Sequence, residues 1–290
     1  RIAIDYGYTN YRNMLDDSDL DFIRKEKDFI DLLERIKQYE PLTVLRNANS
    51  YQKENTDTLP TFNYQAADDS NLVDVRTFFN LDSVAGDGDE LSKIIRILNF
   101  VHNTIRHNGG NYALSEFDAI DLYNYNKSTG KGINCRHLAI TLNEMYLSMG
   151  IPSRYVTCMP KDPRDQDCHV INCVWSSQLE KWIWIDPTFN AYVKDENGVF
   201  LSIAEVRERL IDGRPLTLNE DANWNNENKQ TKEDYLENYM AKNLYWLSCA
   251  TEYCFNPESR YRYTGNKYVV LIPIEFEVFG HTDYITTDAE

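Results

Sequence analysis

The chain has 290 residues, with 30 Lys+Arg against 46 Asp+Glu and a formal net charge of −16. A hydrophobic content of 42%, with 13% aromatics, is enough to build a core and excludes a mainly disordered chain. The acid excess argues against nucleic-acid partners and anionic membrane surfaces, which basic patches bind, and no apolar run approaches the roughly 20 residues of a bilayer crossing, so membrane insertion is not expected.

Residues 16–39 are charged, with apolar side chains at Leu20, Ile23, Phe29, Leu32, Leu33 and Ile36, the pattern of one or two amphipathic helices. Residues 46–69 are polar and contain Pro60, which predicts an irregular connector. Asp87 and Glu90 have the spacing of a helix cap. The Gly-Asp-Gly-Asp run around them resembles part of a calcium loop only faintly, and the cap is preferred. Leu91, Ile94, Ile95, Leu98, Val101 and Ile105 then form a helical stripe that Asn108-Gly-Gly110 is expected to stop, with His102 and His107 read as ordinary residues of that helix.

After a polar turn at 130–134, residues 135–149 read as a helix with Leu138, Leu142, Met145 and Met149 on one face and His137 on its surface; Gly150 and Pro152 end it. Strand-like runs follow at 154–159, 169–175 and 181–186. Ser202 and Glu205 form a capping box opening a short helix that Gly213 ends. Residues 219–229 read as an Asn/Glu-rich loop and 235–247 as a helix. Val270, Ile272, Ile274, Phe276 and Val278 alternate in a half-buried strand that Pro273 assigns to a sheet edge, and His281 falls in a solvated tail. A central helix followed by strands, without repeated βαβ units, predicts an α+β protein with an antiparallel sheet.

The six cysteines (135, 158, 168, 173, 249 and 254) are too few for a disulfide scaffold. Cys158, Cys168, His169 and Cys173 cluster in sequence, but no CxxC pair occurs and the spacing fits no common zinc pattern, so neither a metal site nor a cofactor is expected. If Cys135 acts as a thiol, at most two disulfides remain, with Cys158–Cys168 across neighbouring strands and the nearby Cys249 and Cys254 as the pairs to consider.

Three segments carry chemistry: Gly132-Ile-Asn-Cys135 at a helix start, Asp167-Cys-His169-Val opening a strand, and Trp182-Ile-Trp-Ile-Asp186-Pro-Thr188 closing the next. A free thiol titrates near 8.5, so it needs help to be a nucleophile at neutral pH. Unpaired N–H groups at a helix N-terminus and a neighbouring imidazolium supply that help, and a carboxylate on the second ring nitrogen fixes tautomer and orientation. His169 and Asp186 on adjacent strands would lie about 5 Å apart. Alternation puts Asp186 on the side of Trp182 and Trp184 rather than on that of Ile183 and Ile185, a parity that a twist before Pro187 would have to remove. Arg154 is expected in a structural ion pair under the sheet, and the two tryptophans as core and cleft wall.

The stretch from Asn134 to Thr188 resembles the transglutaminase-like superfamily of papain-like cysteine enzymes. The matching pieces are Gly132-Ile-Asn-Cys135-Arg, Leu138-Ala139, Met149-Gly-Ile-Pro-Ser-Arg154-Tyr-Val, His169-Val-Ile-Asn and Lys181-Trp-Ile-Trp-Ile-Asp186-Pro-Thr. The family often has an aromatic residue shortly after the histidine, where this chain has Val170-Ile171. The resemblance implies a transglutaminase-like core with Cys135 as nucleophile, His169 as general base and acid and Asp186 as its orienter; a calcium requirement is not implied. The expected organisation is a helical or irregular extension (1–86), the catalytic core (87–200) and a C-terminal helix-and-strand extension packed on it (201–290).

The expected function is acyl transfer from an amide or peptide bond through a thioester. The Cys135 amide would be one oxyanion donor and the second is not identified from sequence. Hydrolysis is favoured over transamidation, and a peptide- or glycan-binding module on the same fold is the non-catalytic alternative. The partner is then a peptide or protein substrate. An acidic, Tyr- and Asn-rich chain opening on Arg1 carries the expectation of an exported bacterial protein.

Overall fold

The three consecutive strand-like runs form three strands of a five-stranded sheet. The computed structural model describes residues 1–55, 58–259, 267–277 and 285–286; the expected positions of Val278 and His281 lie outside them. The strands are β1 (Ser153–Met159), β2 (His169–Ser176), β3 (Lys181–Ile185), β4 (Trp246–Ala250) and β5 (Tyr268–Leu271). They run in the order β5-β4-β1-β2-β3 with every neighbouring pair antiparallel. The structure is therefore α+β with an antiparallel sheet. β5 sits at the edge, where Pro273 belongs. The expected helix at 235–247 is instead a π-helix at Glu233–Met240 and a short turn of helix at Ala241–Asn243, followed by β4. The apolar run from Leu244 to Ala250 serves a sheet buried on both faces, so it shows no alternation to distinguish it from helix.

Four helices matter for the site: α1 (Glu90–Thr104), α2 (Ala119–Thr129), α3 (Cys135–Ser148) and α4 (Ile203–Asp212). α3 is buried on every side from His137 to Ser148, not on one stripe. It packs on one sheet face with α1, around Ile94, Leu98, Leu142, Met145, Val170, Val174, Ile183 and Ile185. The opposite face holds Val156, Cys158, Ile171, Cys173 and Trp184, covered by Ile203, Val206 and Leu210 of α4 and by Tyr235, Leu236 and Met240 of the π-helix. The layers are helix, sheet, helix.

Polar contacts from neighbouring elements hold α3 inside this sandwich. Asn172 on β2 donates from Nδ2 to the Ala139 carbonyl at 2.9 Å. Glu144, its carboxyl pushed well up by burial, accepts the amides of Ala119 and Asn256, each at 2.8 Å. His137 is fully buried, between the Tyr112 and Phe117 rings, and burial followed by the charge of Arg136 lowers it to about 4. The surface position expected for it is wrong because α3 has no solvent face.

The α4 capping box forms as expected, with Ser202 and Glu205 bonding reciprocally and Gly213 left-handed at φ +67°. The cap of α1 is Asp89 rather than Asp87, its carboxylate accepting the Ser92 amide at 2.8 Å. Glu90 reaches instead to Ser176, Ser177 and the Gln178 amide in the β2–β3 turn.

Candidate active site

Asn134 opens α3 with its side chain accepting the His137 amide, which leaves Cys135 as the first helical residue. There the backbone N–H groups have no intrahelical acceptor, and the helix dipole favours an anion. His107, His169 and the Val170 amide at the start of β2 lie close enough to the sulfur to stabilise its anion. Burial alone would raise this thiol. The two histidines, the positive charge of His169 and the amide outweigh it and bring Cys135 down to about 6.

His169 is 1% exposed and donates from Nε2 to Asp186 Oδ2 at 2.7 Å. That bond leaves Nδ1 as the nitrogen for the sulfur. Burial opposes the imidazolium, but Asp186, by charge and hydrogen bond, and then Cys135 raise it to about 10. A depressed thiol beside a raised imidazole is a thiolate–imidazolium pair at neutral pH.

Asp186 is fully buried and still held below the usual carboxylate range: burial works against it, while His169, Tyr235 and the Thr188 amide win. The Tyr235 hydroxyl donates to Oδ2 at 2.6 Å and the Thr188 amide to Oδ1 at 2.8 Å. Trp184 Nε1 in turn donates to the Tyr235 hydroxyl at 3.2 Å. The π-helix thus presents Tyr235 to the carboxylate and, four residues on, Tyr239 to the imidazole, with ring centroids 5.2 Å apart. Phe189 closes the other side of His169 at 5.5 Å. Such wide helical turns recur at functional sites.

The structure brings all three expected site residues together and resolves the parity problem differently from a twist. Asn172 pairs with Ile185, so one step along, position 171 faces 186. His169 and Asp186 are therefore diagonal neighbours on one sheet face, the face away from α3, with Trp184 and Tyr235. Cys135 joins them because it is the first residue of its helix and meets the sheet at the start of β2.

His107 was not expected here. α1 ends at Thr104, and His107 bridges Ile133 in an extended segment. The Asn108 amide donates to the Ile133 carbonyl at 2.8 Å and the Ile133 amide to the Arg106 carbonyl at 2.9 Å. Gly132 makes this approach possible: at φ +75° a Cβ there would lie 2.8 Å from the Arg106 oxygen and 2.9 Å from Asn108 Cβ. The Asn-rich loop is a hairpin of Asn223–Trp224 and Asn228–Lys229, turned by Asn225 and Asn226 at positive φ. Its Trp224 Nε1 donates to His107 Nδ1 at 2.9 Å, while the Asn225 side chain accepts the His107 amide and donates to its carbonyl. The usable signals were Asn225-Asn226, which tolerate a left-handed turn, and Gly132 before the cysteine. His102 is a strut between the Pro187 carbonyl and Asn223.

The guanidinium of Arg154 stacks 3.8 Å from the Phe62 ring and 4.2 Å from Trp182, and its Nε donates to the Tyr64 hydroxyl. Trp182 therefore packs on Arg154 rather than lining the site. Cys158 faces His169 in the β1–β2 register, not Cys168. Among the described residues there is no disulfide and no group of three or more His, Cys, Asp or Glu side chains arranged to hold a metal.

Residues 79–187 match the family model of the transglutaminase-like superfamily. None of the curated proteins compared with the chain matches it. A crystal structure of a protein from Cytophaga hutchinsonii, provisionally named a cysteine protease, is similar at 19% identity over 51% of this chain, with a TM-score of 0.31. The aligned part spans 48% of that protein, about half its length.

Proposed function

We propose that the transglutaminase-like domain of this chain is a cysteine-nucleophile acyl-transfer enzyme, which opens amide or peptide bonds through a thioester and passes the acyl group to water. One observation carries this reading. The His169 imidazole is buried between Cys135 and a carboxylate held by three donors; with His107 and the Val170 amide it outweighs burial and lowers the thiol to about 6, while its own affinity for a proton rises. In this scheme the Cys135 thiolate attacks the carbonyl carbon and the C=O electron pair moves to oxygen. Collapse breaks the C–N bond, and the amine leaves with the proton from His169 Nδ1. His169, now neutral, takes a proton from water as it attacks the thioester and keeps it while the C–S bond breaks, so the sulfur leaves as thiolate and the ion pair is restored.

An amine in place of that water gives transamidation through the same first half-reaction, and peptide-library digestion with and without added amines separates the two. A binding module has no use for a depressed thiol beside a charged imidazole, which favours turnover over binding alone. The primary test is cleavage of a peptide library by the wild type and by Cys135→Ala. Cleavage by both, or by neither, counts against the reading.

A further inference from the structure

Two histidines meet one sulfur, and their second nitrogens differ in kind. His169 Nε2 is bonded to a carboxylate, an acceptor only, so that nitrogen carries a proton and Nδ1 is left to exchange one with Cys135. His107 Nδ1 is bonded to the Trp224 indole N–H, a donor only. That nitrogen must therefore be the bare one. The neutral ring carries its proton on Nε2, and the bridge to Ile133 sets His107 beside Cys135, where it helps to lower the thiol. A ring in that state cannot accept the thiol proton. It can only donate, and it is held in place to do so by the Asn225 clamp on its backbone and by the bridge to Ile133 beside Gly132.

We infer that His107 is the second oxyanion donor: its Nε2–H and the Cys135 backbone N–H together bind the alkoxide formed when the thiolate adds to a carbonyl carbon, with Trp224 as the positioning residue that fixes the donating tautomer. The inference rests on the thioester reading and deepens it. As the C–S bond forms and the C=O pair moves to oxygen, negative charge leaves the sulfur for an atom bonded to the same carbon. A donor already beside the sulfur needs little movement to follow it. The reaction thus uses two imidazoles in separate roles, His169 moving the proton and His107 holding the charge.

Two probes of Cys135 divide these roles. Alkylation by iodoacetamide needs a thiolate but forms no oxyanion; acylation by p-nitrophenyl acetate needs both. Rates are compared on their high-pH plateaus, where the sulfur is ionised in every variant. His107→Ala should lower acylation relative to alkylation about 100- to 1,000-fold, the usual loss for one oxyanion donor, without slowing alkylation. His107→Gln keeps a side-chain N–H and should recover part of the acylation. Trp224→Phe removes only the indole donor and should lower acylation by a smaller factor, again without slowing alkylation; it carries the test alone if His107→Ala does not fold. Acylation that is unaffected, or that falls in step with alkylation, overturns the assignment of His107. A wild type acylated no faster than Cys135→Ala overturns the thioester reading as well, so the two failures are distinguishable.

Discussion

His169→Ala removes the imidazolium and leaves Cys135 buried beside the remaining donors. The sharpest consequence is the pH dependence of iodoacetamide alkylation. In the wild type the rate should rise with unit slope and level off above about 6, the value the site imposes on the thiol. Without His169 the midpoint should move toward the ordinary thiol range near 8.5. At pH 6 half of the wild-type sulfur is then thiolate, against about 0.3% in the variant. The advantage is not the full ratio of about 160, because a thiolate of lower pKa is a weaker nucleophile. With a Brønsted slope of about 0.45, a difference of about 2.5 in pKa costs about 1.1 log units of intrinsic reactivity. The wild type should therefore react about 12-fold faster at pH 6 and about 13-fold slower at pH 10, with the two curves crossing near about pH 7.4. Mass spectrometry of the labelled protein across pH 5–10 gives both profiles. Superimposable curves, or a wild-type midpoint near 8.5, would refute the thiolate–imidazolium pair.

Tyr235→Phe deletes a hydroxyl that donates at 2.6 Å to a fully buried carboxylate. Losing a hydrogen bond to a charged group should lower unfolding stability by about 1.5–3 kcal/mol in urea titration. Gly132→Ala forces a left-handed side chain onto the Arg106 carbonyl, 2.8 Å from the new Cβ. It should cost about 1–3 kcal/mol and slow p-nitrophenyl acetate acylation by displacing His107. Stability should also respond to pH with a definite sign. His169 is raised to about 10 in the fold, so its contribution is complete below about 6.5 and is lost as pH rises toward 10. Cys135 is lowered to about 6, so its contribution grows from there to about 8.5. The two offset each other in between, and urea midpoints should be level from about 6.5 to 8.5 and fall above it, a fall that His169→Ala abolishes.

Much of the site was legible because it depends on local signals. Cys135 follows a cap residue and opens a helix, His169 starts one strand and Asp186 follows the end of the next, all within 52 positions. Tyr235 and His107 gave no comparable signal. Tyr235 reaches Asp186 across 49 residues of chain, and Trp224 reaches His107 across 117. Their pairings are set by how the π-helix and the hairpin dock, which no local periodicity encodes. The N-cap at Asp89 and the burial of His137 were misread for a related reason: several acids could cap α1, and a helix buried on all sides carries no stripe to orient it.

Sequence alone determined most of the elements around the site and pointed to its three candidate residues, because cap residues, strand-forming runs and a cysteine at a helix start act over a few residues. Tertiary structure decided which side chains complete the site and what each nitrogen does. A histidine's role is set by whatever bonds its far side, and for both His169 and His107 that partner arrives from a distant part of the chain.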